Sequence, residues 1–417
     1  MLEKKSFLEK ILNVGRKVIP RPVFEFFQPV YHYLLALTGD TIYRFRSRKL
    51  IVIGVTGTKG KSTTVVLAGK IFQEAGIKVG WVSSLTINFG KEEIMNKYHM
   101  TIPGRFFIHK ALAKMVKNDC KYAIVEVTSE GIKQFRHKFI NFSGAVFTNL
   151  APEHIEAHGS FEKYRDAKLK LFQITAKNKN SFGIYNADDE NVEWFLKYPI
   201  KNKYKFSVKG DKIDFKLNLI GEFNIANALA AATIAKSQNI SDEIINKALG
   251  SIKFIPGRME EINQGQNFRV IIDLAHTPDS FEKVFKVFNS PAGEPHQRII
   301  SVFGSAGGGR DKWKRPELGR IASENSDIAI ICNEDTYNES EQKIADEIAA
   351  GCKKTKPEII LDRREAIRKA FSLAQKDDIV LILGKGTEQT MVIGENKTHW
   401  DDREVVREEL KNLPTNR

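Results

Sequence analysis

The chain has 417 residues, enough for two or three domains with sizeable cores, and at 42% hydrophobic and 28% charged its composition is that of an ordinary globular protein. The formal net charge is +14, yet no aromatic-rich RNA motif, zinc finger or basic repeat accompanies it, so nucleic acid is not the expected partner. Three widely spaced cysteines exclude a disulfide framework or CxxC metal site, and no run reaches the ~20 apolar residues of a spanning helix or forms a signal peptide; a reducing, cytoplasmic location is expected.

Residues 1–50 carry ten Lys/Arg against four Asp/Glu, so +6 of the charge lies in the first eighth of the chain. Phe7, Leu8, Ile11, Leu12 and Val14 predict a basic amphipathic helix. Arg21-Pro22 interrupts it, and an aromatic segment follows through Phe27, Tyr31, Tyr33 and Phe45. Two readings are open for residues 1–49: helices packed on the main domain, or a peripheral contact with a membrane surface.

Residues 50–55 are an apolar, β-branched run that predicts a buried strand, and 62–74 fall on helical spacing. Between them lies Thr56-Gly57-Thr58-Lys59-Gly60-Lys61-Ser62. Strand, glycine turn, lysine, hydroxyl and helix make the sequence form of a phosphate cradle. Backbone N–H groups and Lys61 would take phosphate oxygens, and the Ser62 hydroxyl can hold Mg²⁺. The strict GxxxxGK[ST] pattern needs glycine at 55, where this chain has Val55.

From 50 to about 251 strands and helices alternate, as in a parallel α/β sheet: strand 78–82, helix 105–117, strand 122–127, strand 144–148. The strand 122–127 delivers Glu126 beside the cradle, where an acidic residue is a candidate Mg²⁺ ligand. On residue chemistry alone, His154 and His158 are loop histidines and Lys168 is one more helix lysine. Gly221 opens an alanine-rich helix whose Asn224 and Asn227 could cap it or read a base edge. The composition changes near 254–258, giving predicted segments 1–49, 50–254 and 255–417. The last alternates strands 268–274, 298–303, 327–332, 358–361 and 378–383 with helices and reads as Rossmann-like. The glycines at 304–309 are not spaced GxGxxG, so a dinucleotide site is not expected there.

These motifs, in this order, resemble the Mur ligases, ADP-forming amide-bond ligases of peptidoglycan precursor assembly. The resemblance runs from about 50 to 415. It implies a phosphate-loop central domain with a mostly parallel sheet and a Rossmann-like C-terminal domain, using ATP and Mg²⁺. It places Thr58, Lys59, Gly60, Lys61, Ser62, Thr63, Asn224, Asn227, Arg258 and Asp273 at the nucleotide. It makes Ser62, Glu126, His154 and Lys168 the metal-binding set, with Lys168 carbamoylated, and Lys61, Glu126, His154 and Lys168 the catalytic set. Substrate contacts are expected from Thr101, Thr128, Ser129, Glu334, Asp335, Tyr337, Gly384 and Glu388.

Within the family the chain is most similar to the type that adds the third residue to UDP-N-acetylmuramoyl-L-alanyl-D-glutamate. The implied partners are a sugar-nucleotide peptide and an amino acid, and a monomer is expected. Two features depart from that type. About fifty residues precede the phosphate loop in place of a full sugar-nucleotide domain, which leaves a UDP-linked or a lipid-linked acceptor open. The diaminopimelate motif Asp-Asn-Pro-Arg is replaced by Glu334-Asp335-Thr336-Tyr337, so the amino acid is not assigned. A folylpolyglutamate- or cyanophycin-type ligase and a non-catalytic nucleotide-binding protein are the rival readings.

Overall fold

Val52, Ile53 and Val55 of β1 (Ile51–Thr56) are fully buried. An unbroken apolar strand of this kind sits at the centre of a parallel sheet covered on both faces. The computed structural model describes residues 21–98, 100–153, 158–211, 214–289 and 296–413. In it β1 pairs in parallel with β5 (Tyr122–Glu126) and β6 (Phe142–Phe147). Around them lie β2 (Val79–Val82), β3 (Thr86–Asn88), β4 (Glu93–Met95), β7 (Phe182–Asn186) and β8 (Asn202–Phe206), in the order β4-β3-β2-β5-β1-β6-β7-β8. Only β3 runs antiparallel to its neighbours.

Each face of this sheet has its own core. On one, Phe72 and Trp81 pack with the helices Lys61–Glu74 and Glu222–Lys236; on the other, Leu112, Phe172 and Phe195 pack with Arg105–Lys117 and Phe161–Thr175. Full burial of such side chains is worth roughly 1.5–3 kcal/mol each. Both cores therefore hold the carboxyl ends of β1, β5 and β6 in fixed register, and those ends carry the site.

The second half repeats the architecture. β9 (Glu260–Glu261), β10 (Arg269–Asp273), β11 (Ile299–Phe303), β12 (Ile328–Ile331), β13 (Glu358–Ile359) and β14 (Ile379–Leu383) form a sheet of order β13-β12-β11-β14-β10-β9, with only β9 antiparallel. The fold is thus α/β throughout, as the alternation predicts. A buried pair ties in the C-terminal helix Asp402–Lys411: Arg363 Nε and Nη2 donate to Asp402 Oδ1 and Oδ2 at 2.8 and 2.7 Å.

Residues 7–14, read above as an amphipathic helix, lie outside the described residues. The aromatic segment forms one helix, Arg21–Ile42, that packs on the Arg105–Lys117 helix. His109 Nδ1 and Asp40 Oδ1 meet there at 3.1 Å, both groups buried. Among the described residues no helix is long and apolar enough to cross a membrane.

Candidate active site

β1 runs into the loop Gly57–Gly60 and then into the Lys61–Glu74 helix. Gly60 caps that helix at φ 81°, a left-handed conformation that a side chain would strain. A Cβ there would lie 2.1 Å from Asn227 Oδ1, so Asn227 is seated against the loop itself. Its Nδ2 donates to Asn224 Oδ1 at 3.1 Å.

The end of β6 braces the loop from the other side. Thr58 N–H donates to Asn149 O and Lys59 N–H to Asn149 Oδ1, each at 2.8 Å. Thr148 Oγ1 donates to Lys59 O at 2.7 Å, and Tyr164 OH to Thr58 Oγ1 at 3.1 Å. Lys61 Nζ folds over the loop onto Gly57 O (3.0 Å) and Thr58 O (2.8 Å). Burial pulls its pKa down, while Glu126 and Glu153 oppose the shift. An ammonium bonded only to loop carbonyls, beside the first amides of a helix N-terminus, suits a polyphosphate.

Ser62 Oγ and Ser84 N–H both donate to Glu126 Oε2, each at 2.8 Å. A hydroxyl and a carboxylate are hard oxygen donors, and Mg²⁺ takes one or two such protein ligands with waters and phosphate oxygens. The pair fits Mg²⁺. Among the described residues no three His, Cys, Asp or Glu side chains gather into a metal site. His154 lies outside the described residues.

Lys168 is 1% exposed and lies under the loop, donating from Nζ to Gly57 O at 2.7 Å with its amine over the Tyr164 ring. Burial first, then the neighbouring Lys61, hold its pKa well below the usual lysine value. That environment favours the neutral amine.

The second half closes a cleft of about 1010 Å³ over the loop. Arg258, Asp273, His276, Lys314, Glu334 and Glu388 line it opposite Lys59, Lys61, Thr101, Glu126 and Asn227. Asp273, at the end of β10, accepts from Met259 N–H (2.8 Å) and Ala275 N–H (2.7 Å). Burial raises its pKa against the pull of Arg258. Lys59 Nζ pairs with Glu153 Oε1 at 2.9 Å, and His276 Nε2 approaches that oxygen at 3.7 Å, so one carboxylate touches both halves. Burial, with Lys59 and Lys314 nearby, keeps His276 neutral.

At the far end Lys385 Nζ bridges Asp335 Oδ1 (2.9 Å) and Glu388 Oε2 (2.8 Å). Glu334 is buried with its Oε1 unbonded, and burial raises its pKa. Gly384 sits at φ +112°, and a Cβ there would lie 1.9 Å from Glu334 Oε1. Only glycine lets the chain pass the carboxyl group.

Of the residues singled out from the sequence, the loop, Glu126, Thr101, Asn224, Asn227, Arg258, Asp273, Glu334, Asp335, Gly384 and Glu388 share this cleft. Four lie off its lining. Lys168 is beneath the loop. Thr128 caps the short helix Ser129–Lys133, accepting Gly131 N–H at 3.0 Å, and Ser129 Oγ meets His158 Nε2 at 3.2 Å. Tyr337, at φ +50°, packs its ring beside Gly308 and bonds through its backbone to Val392 and Gly394. Asn149, Glu153, Ser84, His276 and Lys314 were missed as site residues. The available signal was position: Asn149 and Glu153 follow the carboxyl end of a buried strand, where such sheets collect ligands.

A phosphate-loop sheet facing a second, Rossmann-like sheet across one cleft defines a two-part α/β protein built to handle a nucleoside polyphosphate. Residues 55–206 match the Mur ligase middle domain and 257–386 the Mur ligase, glutamate ligase domain. The chain is 36% identical over 453 residues to a UDP-N-acetylmuramyl-tripeptide synthetase of Borreliella burgdorferi, spanning 98% of this chain and 88% of that one. It is 34% identical over 406 residues to the UDP-N-acetylmuramoyl-L-alanyl-D-glutamate–2,6-diaminopimelate ligase of Clostridium tetani, spanning 91% and 81%. A solved structure of a 2,6-diaminopimelate ligase of the latter kind aligns with a TM-score of 0.59 at 24% identity, over 90% of this chain and 82% of that one. The chain belongs to the Mur ligase family.

Proposed function

We propose that the chain is an ATP-dependent, ADP-forming amide ligase. It joins an amino acid to a carboxylate of a UDP-N-acetylmuramoyl-dipeptide-like peptidoglycan precursor. The observation that carries this reading is the single cleft in which Lys61 and the loop amides face Arg258, Asp273 and the Glu334–Asp335 pair. In the first step a carboxylate oxygen of the acceptor attacks the γ-phosphorus and ADP leaves. In the second, the amino acid's nitrogen attacks the acyl carbon, loses a proton, and phosphate leaves.

Catalysis of the first step is positioning and charge neutralisation. The loop amides and Lys61 bind the phosphates. Arg258 adds positive charge from the other half, and Asp273 with Asn227 positions the nucleoside end. Ser62 and Glu126 would hold Mg²⁺, which when bound neutralises phosphate charge. Lys168, whose buried amine has its pKa held well below the usual lysine value, is suited to react with CO₂; the resulting carbamate would place a hard anionic oxygen near the metal. The Glu334 and Asp335 carboxylates orient the incoming amino acid through its ammonium group, with Lys385 holding Asp335 and Glu388 in place.

Isotope transfer tests the scheme. With ¹⁸O in the acceptor carboxylate, released phosphate is expected to carry one ¹⁸O per turnover. Unlabelled phosphate would rule out the acyl phosphate. Gly384→Ala is expected to displace the Glu334 carboxyl, raise KM for the amino acid by about tenfold or more, and cost about 1–3 kcal/mol of stability. Steady-state kinetics with a urea titration check both parts.

A further inference from the structure

The helix Arg21–Ile42 leaves an apolar ridge exposed to water. It buries Asp40 and Ala36 against the Arg105–Lys117 helix. It turns outward Phe27, Val30, Leu34 and Ile42, which are 57, 55, 55 and 62% exposed. Positions 27, 30 and 34 recur at three- and four-residue steps, so they form one ridge, and Ile42 extends it toward the helix end. From 27 to 42 the ridge runs roughly 22 Å at 1.5 Å per residue. A surface helix ordinarily presents its polar stripe to water, so an apolar ridge rimmed by charge marks an interaction face.

The chain that follows the ridge is basic. Between 27 and 50 the only acidic residue is Asp40, which is buried, whereas Arg44, Arg48 and Lys49 follow the helix directly and are exposed. Lys138 lies 5.7 Å from the ring of Tyr33 on the same helix. A second copy of the chain packed on this face would bring two such basic runs together, which like-charge repulsion disfavours.

We propose that this face is an interfacial membrane site: the helix lies in the headgroup layer of an anionic bilayer. Val30 and Leu34 reach the acyl-chain boundary, and Arg44, Arg48 and Lys49 contact lipid phosphates. Apolar area and attraction to anionic lipid add in such a site, and neither needs a shaped groove. The face is separate from the cleft and does not depend on which acceptor the cleft takes.

Flotation of the full chain with vesicles tests this, using phosphatidylcholine alone or with phosphatidylglycerol. The chain is expected to float with the anionic vesicles and about tenfold less with the neutral ones, with binding falling as salt rises. Leu34→Glu and the double variant Val30→Ser/Leu34→Ser should each lower vesicle binding about tenfold while leaving thermal midpoint and nucleotide binding in solution unchanged. Arg48→Glu should lower binding to anionic vesicles only. Wild-type failure to float would overturn the proposal. So would undiminished binding by both ridge variants, which would place the contact elsewhere, in residues 1–20. A concentration-dependent dimer in sedimentation velocity that Leu34→Glu dissolves, without vesicle binding, would make the face an interface between copies instead.

Discussion

Lys61→Ala is expected to lower ATP turnover by on the order of 10³-fold or more, with the fold intact. Nothing else on the loop replaces this ammonium: Lys59 is drawn away to Glu153, and Lys168 lies beneath the loop on Gly57 O. Removing Lys61 leaves Gly57 O to Lys168 Nζ and frees only Thr58 O, which water can satisfy, so stability should change little. The measurement is phosphate release at saturating nucleotide, with calorimetric ADP binding and thermal unfolding as controls. A variant that keeps a tenth of wild-type turnover would show that the loop amides and Arg258 suffice.

Lys168→Ala is expected to cost about 10²-fold or more in turnover, the scale of losing one preorganised charged group. Two roles could produce that loss: a carbamate oxygen near the metal, or a plain amine supporting Gly57. They separate by CO₂. If the carbamate operates, wild-type activity falls when bicarbonate is stripped and returns when it is added, and ¹³CO₂ gives a carbonyl resonance absent from the variant. Lys168→Arg, which keeps a donor for Gly57 O but cannot form the carbamate, then stays inactive. Near-normal turnover by Lys168→Ala would remove the carbamate from the mechanism. Bicarbonate-independent activity with an active Lys168→Arg would leave Lys168 a support of the loop.

Much of the architecture was legible because the chain states it locally. The β1 run, the glycine turn and the Lys61–Glu74 helix are contiguous. Each strand of the second sheet is a short apolar burst between helical periods, so all but the two-residue β9 could be placed. β8 was not legible: Asn202–Phe206 is exposed at four of its five residues, and an edge strand with no buried face has no alternation to read. The β3–β4 hairpin is three residues a side and gives too short a pattern.

The site divides along the same line. Lys61, Ser62 and Glu126 were readable as a strand–loop–helix motif and a strand end. The bracing by Asn149 depends on register, because pairing of Thr56 with Phe147 is what sets residues 148 and 149 beside the loop. The placement of Lys168 under the loop and of Tyr337 off the cleft are likewise three-dimensional facts. So is the outward ridge of the N-terminal helix, whose aromatic sequence alone did not say which face would dock.

The most direct test of the central claim is phosphate release from ATP with Mg²⁺, UDP-N-acetylmuramoyl-L-alanyl-D-glutamate and each of a panel of amino acids, with the product weighed by mass spectrometry. The account predicts release that requires both acceptor and amino acid, and a product heavier than the acceptor by one amino-acid residue. ATP bound but not turned over with any member of the panel, nor with a lipid-linked acceptor, would contradict it.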